Sequence, residues 1–178
     1  MMETPETTKW YVAIVHTNSE HTTAQLLEEK GIEAYVPQQP IVRIRKSGRK
    51  VKAVKTVIPG VVFVKCTETL RKTVVVYLPT VSRFMMDGTA KERRVAVVPE
   101  HQIEILRFMV GQSDVAVDIE SRQFVVGRKV RVVRGALKGL EGIVREVKSG
   151  MNELIVQLDM IGCAKLSIES ANLEPVDD

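Results

Sequence analysis

The sequence predicts an α+β domain of roughly one hundred residues followed by a small all-β domain. Up to Gly111, segments with the patterns of strands and helices alternate along the chain. After residue 127, short β-rich segments follow one another, and Gly135, Gly139 and Gly142 lie close together between the first two. Glycines with this spacing mark tight turns. Several short strands joined by such turns are typical of a small barrel.

The first domain is expected to be an antiparallel sheet with helices on one face. Asn18 or Ser19 suits the cap of a first helix, and Gly31 suits its left-handed end. Pro99 suits the first turn of the last helix. The predicted elements are strand 10–15, helix 19–30, strand 33–36, a hairpin over 41–57 turning at Ser47-Gly48, strand 61–65, a short helix over 69–78, strand 81–86 and helix 99–111.

The second domain is predicted to contain five strands, near 129–133, 142–147, 154–158, 163–168 and 172–176. The segment 112–122 before it is polar and acidic and lacks periodicity, which is typical of a linker. The expected domain boundaries are therefore a disordered N-terminus over 1–8, the first domain over 9–110, the linker over 111–123 and the small barrel over 124–178.

Positive charge is concentrated in the predicted hairpin. The chain carries a net charge of +4, yet the thirteen residues from Arg43 to Lys55 contain seven basic residues and no acidic one. A local positive field of this kind suits one arm that faces phosphates. Alternation places Arg43, Arg45 and Lys55 on one face, with no acid nearby in sequence to pair them. A solvated strand pair, protected by its charge from edge-to-edge aggregation, is the alternative.

Composition excludes several classes. No apolar run approaches the roughly 18 residues of a membrane span, and the polar N-terminus lacks a signal-peptide core, so a cytoplasmic protein without a membrane partner is expected. The two cysteines, Cys66 and Cys163, are expected to be buried thiols. No pair of cysteines or histidines has the spacing of metal ligands, so neither a metal nor a cofactor is expected. No nucleophile–base pair, phosphate-binding glycine loop or carboxylate cluster indicates an enzyme.

Several motifs occur in the order and at the spacing of one known family. They are Trp10-Tyr11-Val12, Lys30-Gly31, Ala34-Tyr35-Val36-Pro37, Ile58-Pro59-Gly60-Val61-Val62-Phe63-Val64, Val81-Ser82-Arg83-Phe84-Met85, Val98-Pro99 and the segment from Gly127 to Val144. The last segment resembles a KOW motif, the core of a small SH3-like barrel. Together the motifs resemble the NusG family of transcription elongation factors, in which an N-terminal (NGN) domain precedes a KOW domain.

The resemblance implies a function without catalysis. The NGN domain would bind the clamp helices of RNA polymerase and contact upstream or non-template DNA, favouring elongation and suppressing pausing or termination. The KOW domain would recruit a ribosomal protein or the termination factor Rho, and a monomer is expected. The alternative is a KOW-containing RNA- or ribosome-binding protein that acts independently of polymerase. The equal numbers of acidic and basic residues over 124–178, eight of each, favour the first interpretation.

Three sets of residues are expected to form the interfaces. Alternation along the strands and the resemblance predict that apolar residues on the sheet face not covered by helices bind polymerase. The alternative is that these residues are part of the core. The set is Ile14, Ile58, Val61, Phe63, Phe84 and Met86. The nucleic-acid-binding set is Arg43, Arg45, Lys46, Arg49, Lys50 and Lys52. The KOW partner-binding set, expected as exposed apolar residues on loops or strand ends, is Leu137, Leu140, Met160 and Ile161.

Some positions depart from the family's common pattern. Val61 stands where an aromatic residue is usual, and Gly135-Ala136-Leu137 replaces a usual Gly-Pro-Phe turn. Such departures suggest a specialised paralogue of the RfaH/UpxY kind, which antiterminates long surface-polysaccharide operons. The first helix of one such group carries basic residues that read DNA. Here that face carries Thr17, Thr22, Glu28 and Glu29, none of them basic, which departs from that pattern.

Overall fold

The computed structural model describes residues 6–89, 91–120, 127–147, 151–158 and 162–176. Its helices are α1 (Glu20–Glu28), α2 (Glu68–Thr73) and α3 (Glu100–Gln112), with 3₁₀ turns at Val75–Tyr77 and Ser170–Asn172. The strands of the first 120 residues are β1 (Lys9–Val15), β2 (Glu33–Tyr35), β3 (Gln38–Ile44), β4 (Lys50–Thr56), β5 (Val61–Cys66), β6 (Val81–Phe84), β7 (Met86–Asp87), β8 (Arg94–Val95), β9 (Val97–Val98) and β10 (Asp118–Glu120). Those that follow are β11 (Arg128–Val132), β12 (Glu141–Val147), β13 (Met151–Leu158), β14 (Gly162–Ile168) and β15 (Leu173–Pro175). The expectation of sheets with a few helices is confirmed.

The described residues form two compact units. One contains the residues up to Pro37 together with Ile58–Ile103, and the other contains Gln38–Val57 together with the residues from Glu104 onward. The hairpin β3–β4 therefore belongs with the C-terminal strands, whereas the sequence placed it inside the first domain. The expected domain boundaries remain predictions.

The first unit is built on an antiparallel sheet in the order β2-β5-β1-β6, with β9 also paired to β1. Strands β1 and β5 are paired along most of their length, so residues opposite each other share a face. Ala13 pairs with Val62 and Tyr11 with Val64, and these four residues belong to one buried cluster that also contains Leu27 of α1. One face of the sheet thus packs against a helix, as the sequence predicted.

Helix α1 is positioned at both ends by specific contacts. The buried carboxylate of Glu20, in its first turn, accepts a hydrogen bond from the backbone N–H of Gly60 at 2.6 Å. Gly60 has φ +75°, a conformation that side chains with a Cβ rarely adopt. Beyond the last turn, Gly31 has φ +71°, which confirms the predicted left-handed end. These contacts tie the helix to the turn that precedes β5.

The predicted helix over 69–78 is shorter in the structure. Helix α2 ends at Thr73 and is followed by a 3₁₀ turn. The side chain of Thr67 caps α2 by accepting a hydrogen bond from the backbone N–H of Leu70. The run Val74-Val75-Val76 explains the early end, because β-branched residues lose side-chain freedom in an α-helix.

The C-terminal strands form a six-stranded antiparallel sheet in the order β10-β14-β13-β12-β11-β15. All five strands predicted beyond residue 127 are present in the described part of the chain. Their pairing runs as an open path from β10 to β15, so it does not by itself define a closed barrel. Strand β10 lies inside the segment expected to be a linker. Val117, immediately before it, is fully buried, which gives this polar segment an apolar anchor.

Candidate functional site

The hairpin β3–β4 is a regular two-stranded ribbon whose register fixes two faces. Ile44 pairs with Lys50 and Val42 with Lys52, so these four side chains share one face. Arg43 pairs with Val51 on the other face. The turn is closed by hydrogen bonds from the N–H of Arg45 to the carbonyl of Arg49, and from the N–H of Gly48 to the carbonyl of Arg45. The hairpin and its turn at Ser47-Gly48 are as predicted.

The far half of this ribbon, residues 42–52, carries the predicted nucleic-acid set, and we refer to it as the ribbon tip. All six residues of the set are exposed: Arg43, Arg45, Lys46, Arg49, Lys50 and Lys52. None of the six forms an ion pair with another described residue. Exposed cations without acidic partners generate a positive potential that is available to an anionic ligand.

The base of the ribbon is held by a buried amide that sequence reasoning missed. Gln39, 2% exposed, donates from Nε2 to the carbonyls of Ser113 and Val115, both at 2.9 Å. Its Oε1 accepts the backbone N–H of Val117 at 3.0 Å. In a polar run such as Gln38-Gln39-Pro40, nothing in the sequence marks one glutamine as buried.

An ion pair reinforces this anchor. Lys55 Nζ lies 2.6 Å from Asp118 Oδ1. The register places Lys55, opposite Gln39, on the same face as Arg43, as alternation predicted. The expectation that no acid pairs this face is wrong for Lys55, because Asp118 is distant in sequence and close in space.

The predicted polymerase-binding set is dispersed by the structure. Val61 is 8% exposed and Phe63 fully buried, while Ile14 and Ile58 are half-buried and Met86 is 45% exposed. Ile14 pairs with Val61, and Phe63 lies on the same face with its ring stacked on Tyr35 at 5.9 Å between centroids. The predicted common face is therefore right for these three residues, but it is not an exposed apolar surface.

Phe84 lies on the opposite face from Phe63. It pairs with Ala13 and belongs to the cluster under helix α1, where its ring meets that of Tyr11 edge-on with centroids 6.3 Å apart. The predicted grouping of Phe84 with Phe63 is wrong. Alternation fixes faces only within a strand, and a register shift between Ile14 and Val15 interrupts the pairing of β1 with β6.

A polar cluster, also unpredicted, lies beside Phe84, with Arg71 buried and Glu68 partly exposed. The guanidinium of Arg71 is 5.4 Å from the centre of the Tyr11 ring and 5.2 Å from that of Phe84. It donates to both carboxylate oxygens of Glu68, at 2.6 and 3.0 Å, and the hydroxyl of Tyr11 donates to Glu68 at 3.0 Å. The three polar groups satisfy one another against two aromatic faces.

This cluster changes the acidity of its members. Hydrogen bonds from Arg71 and then Lys72 lower the pKa of Glu68 to about 2. Burial, followed by the hydrogen bond to Glu68, raises the pKa of Tyr11 to about 12. The hydrogen bonds to Glu68 raise the pKa of Arg71. Each charged partner is held in its ordinary ionised form, so the cluster stabilises the fold and has no group poised for proton transfer near neutral pH.

In the C-terminal sheet, Leu137 and Leu140 are 7% and 6% exposed. The turn between β11 and β12 is closed by hydrogen bonds between Val132 and both Gly139 and Leu140, each 2.8 Å long. The expectation that these leucines form an exposed patch is wrong, because the turn folds them inward. Met160 and Ile161, the other two members of the predicted set, lie outside the described residues.

The described residues contain neither a metal-binding cluster nor a membrane-spanning helix. No group of three or more His, Cys, Asp or Glu side chains there is arranged to hold a metal ion. None of the helices found there combines the length and apolar character needed to cross a bilayer. The features that remain are surfaces: a sheet with a helix-covered face, and a basic ribbon on a buried anchor.

The described residues form a mixed α/β protein with a cationic arm, the ribbon tip. The family model described as "NusG: Transcription termination factor nusG" matches residues 8–107. The chain therefore belongs to the NusG family, and it is a transcription factor of that family and not an enzyme.

One solved structure has a similar fold. A structure titled "Domain interaction in Thermotoga maritima NusG" is similar with a TM-score of 0.51 and 17% identity, over 96% of this chain and 98% of that one. A structure titled "Crystal Structure of MjSpt4:Spt5 complex conformation B" has a TM-score of 0.32 and 15% identity, over 95% and 97% of the two chains. No curated protein matches the sequence.

Proposed function

We propose that this protein is an elongation and antitermination factor that binds RNA polymerase through its first sheet. The observation that carries the proposal is the family match over residues 8–107, which covers that sheet and the basic ribbon. The clamp helices are the proposed target, and the ribbon contacts upstream or non-template DNA. The protein acts in the cytoplasm as a monomer, without a cofactor.

Exposure decides which members of the predicted polymerase set can touch the enzyme directly. Met86 is 45% exposed, and Ile14 and Ile58 are half-buried, so these side chains can bury further area against a partner. Val61, Phe63 and Phe84 have little or no exposed surface and would shape the interface from beneath. An aspartate at Phe63 or Phe84 would disrupt the core, so it does not test binding.

The test is capture of core RNA polymerase by the full-length protein carrying Met86→Asp. A matched control is Val115→Asp, because Val115 is also 45% exposed. Reduced capture with Met86→Asp alone, with both variants folded, supports the proposal. Equal capture by both variants and the unmodified protein would remove Met86 from the interface, and no capture by any of the three would reject polymerase binding.

The proposed DNA contact of the ribbon is tested separately. Charge reversal at Arg45, Lys46, Arg49 and Lys50 is expected to weaken binding to an elongation complex more than binding to isolated clamp helices. The loss should shrink as salt rises, since phosphate contacts release counterions. Equal loss on both targets would mean that the ribbon contacts protein.

We further propose that the C-terminal strands act as an SH3-like KOW barrel that recruits a ribosomal protein or Rho. Five consecutive antiparallel strands and a glycine-rich turn support this assignment. The departures at Val61 and Gly135-Ala136-Leu137 support an operon-specific paralogue. Such a paralogue would alter elongation only on templates that carry its recruitment signal, which in vitro transcription on signal-bearing and signal-free templates tests.

A further inference from the structure

The ribbon tip carries cations on both of its faces. The register places Arg43 on one face, with Arg45 and Arg49 closing the turn, and Lys50 and Lys52 on the other. All five side chains are exposed. A flat anionic surface can contact only one face of a ribbon at a time. Cations on both faces instead suit a ligand with phosphate on two sides, which is the arrangement in a groove of duplex nucleic acid.

The face that carries the two lysines also carries exposed apolar side chains. Val42 is 63% exposed, Ile44 69% and Val54 59%. The register aligns Val42 with Lys52 and Ile44 with Lys50, so each apolar group lies beside a cation. An apolar group between phosphate-binding cations can meet the edge of a base, where the thymine methyl group offers an apolar contact in the major groove.

The composition of the hairpin favours a duplex over a single strand. Residues 38–56 contain no Phe, Tyr or Trp. Proteins that bind single strands without sequence preference rely on aromatic side chains on which bases stack. Val and Ile cannot replace that contact, whereas a groove needs only a narrow element of the right width.

The dimensions of the ribbon fit the major groove. Two strands about 4.8 Å apart, with their side chains, match a groove about 12 Å wide that admits a two-stranded β-ribbon. The minor groove, about 6 Å wide, is too narrow without deformation of the DNA. The buried anchor at Gln39 and the ion pair between Lys55 and Asp118 hold the base of the ribbon, which lowers the entropic cost of inserting its tip.

We propose that the ribbon tip enters the major groove of duplex DNA, with Val42 and Ile44 of β3 against base edges, Lys50 and Lys52 of β4 reaching one phosphate backbone, and Arg43 of β3 reaching the other. This inference rests on the proposed contact between the ribbon and nucleic acid, and adds the form of the ligand and the groove. It does not depend on polymerase binding, so the two proposals can fail independently.

The first experiment measures binding of the full-length protein to a labelled 20-base-pair duplex of A·T and G·C pairs, and to one of its single strands, by fluorescence anisotropy. The variants are R43Q/R49Q on one face and K50Q/K52Q on the other, with K30Q/K138Q, two exposed lysines elsewhere in the chain, as the charge-matched control. Each face variant should lose about tenfold in duplex affinity, and the slope of log affinity against log salt should fall by about two. The control should change neither quantity.

The second experiment identifies the groove. Replacing every thymine by uracil removes the C5-methyl group from the major groove and leaves the minor groove unchanged. Affinity should fall about two- to fourfold, from the loss of apolar contact, and the double variant Val42→Ala with Ile44→Ala should abolish that difference. Conversely, a minor-groove ligand such as netropsin should not compete.

The outcomes separate the two claims. Loss of affinity with only one face variant, equal affinity for duplex and single strand, or indifference to the thymine methyl group would overturn the groove assignment while the phosphate contact stands. If neither face variant lowers affinity for the duplex, both the groove assignment and the proposed DNA contact are wrong, and capture of polymerase through Met86 remains to be judged on its own result.

Discussion

Arginine occurs in opposite surroundings in two regions of this molecule. Arg71 lies against the rings of both Tyr11 and Phe84 and pairs with Glu68 at 2.6 Å. The cations of the ribbon tip are exposed and have no acidic partner among the described residues. The same chemical group is therefore part of the core in one region and part of a surface in the other.

The two regions differ in whether the protein or a ligand supplies the negative charge that neutralises the cation. A buried cation must be neutralised and hydrogen-bonded within the protein, because desolvation is otherwise too costly. A cation on an exposed ribbon is solvated and can exchange water and ions for a ligand's phosphates. Substitutions should therefore affect stability in the first region and binding in the second, and the following predictions test that separation.

The largest effect is expected for Arg71→Ala. The substitution removes two cation–ring contacts and the hydrogen bonds to Glu68, and it leaves a void beside the two rings. We expect a loss of about 2–3 kcal/mol in the free energy of unfolding, measured by urea denaturation of the full-length protein.

Lys72→Ala is the matched control. Lys72 is the next residue on the same helix and also pairs with Glu68, at 3.0 Å, but its side chain is 62% exposed. An exposed pair contributes little, so the loss should stay below about 0.5–1 kcal/mol. Similar losses for the two variants would show that burial against the rings does not distinguish Arg71 from Lys72.

A somewhat smaller effect is expected for Gln39→Ala, which tests how firmly the ribbon is anchored. The variant leaves the buried N–H of Val117 without its acceptor and removes two further hydrogen bonds. A buried unsatisfied donor costs about 1–3 kcal/mol. Hydrogen exchange at the Val117 amide should accelerate accordingly, by at least tenfold. Gln38→Ala, at the exposed neighbouring position, should leave that amide protected; acceleration by both variants would argue against a specific anchor.

The contrast between Gln38 and Gln39 also shows where sequence reasoning stops. Strand positions, the hairpin turn and the left-handed glycine at Gly31 follow from local preferences, and these were predicted. The partner of Gln39 lies more than seventy residues away, and no local pattern encodes such a contact. For the same reason Asp118 could not be identified in advance as the partner of Lys55.

Phe84 illustrates a second limit. Alternation assigns the faces of a regular strand such as β1 or β5, but it fails where a bulge interrupts the strand, as in β6. The pairing of β1 with β6 contains a register shift between Ile14 and Val15. Because of this shift Phe84 pairs with Ala13, whose side chain lies in the helix-covered core. The predicted exposure of Leu137 and Leu140 was wrong. The glycine-rich turn was predicted correctly, but it folds these two side chains inward, and the identity of turn residues does not determine that direction.

The stability of the polar cluster should depend on pH in acid. Arg71 lowers the pKa of Glu68 to about 2 from an ordinary value of 4.5. A carboxyl group whose pKa is lowered by folding stabilises the folded state at pH values above its pKa in the unfolded chain. This contribution is lost as pH falls from about 4.5 through 2. The melting temperature should therefore fall across that window, by a modest amount because Glu68 is largely exposed. Glu68→Gln should show a shallower decline; an identical pH profile for the variant would assign the acid sensitivity to other carboxylates.

The smallest effect on stability is expected where the largest effect on binding is proposed. Neutralising both faces of the ribbon tip with R43Q/R49Q/K50Q/K52Q removes four exposed charges that have no described acidic partner. The free energy of unfolding should change by less than about 0.5 kcal/mol. Because the like charges repel one another, any change should be toward greater stability and should disappear as salt screens them. Urea denaturation at low and high salt measures both quantities. A loss above about 1 kcal/mol in the free energy of unfolding would mean that these cations stabilise the fold as Arg71 does. The ribbon tip would then not differ from the Arg71 cluster, and its charges would not be available only for a ligand.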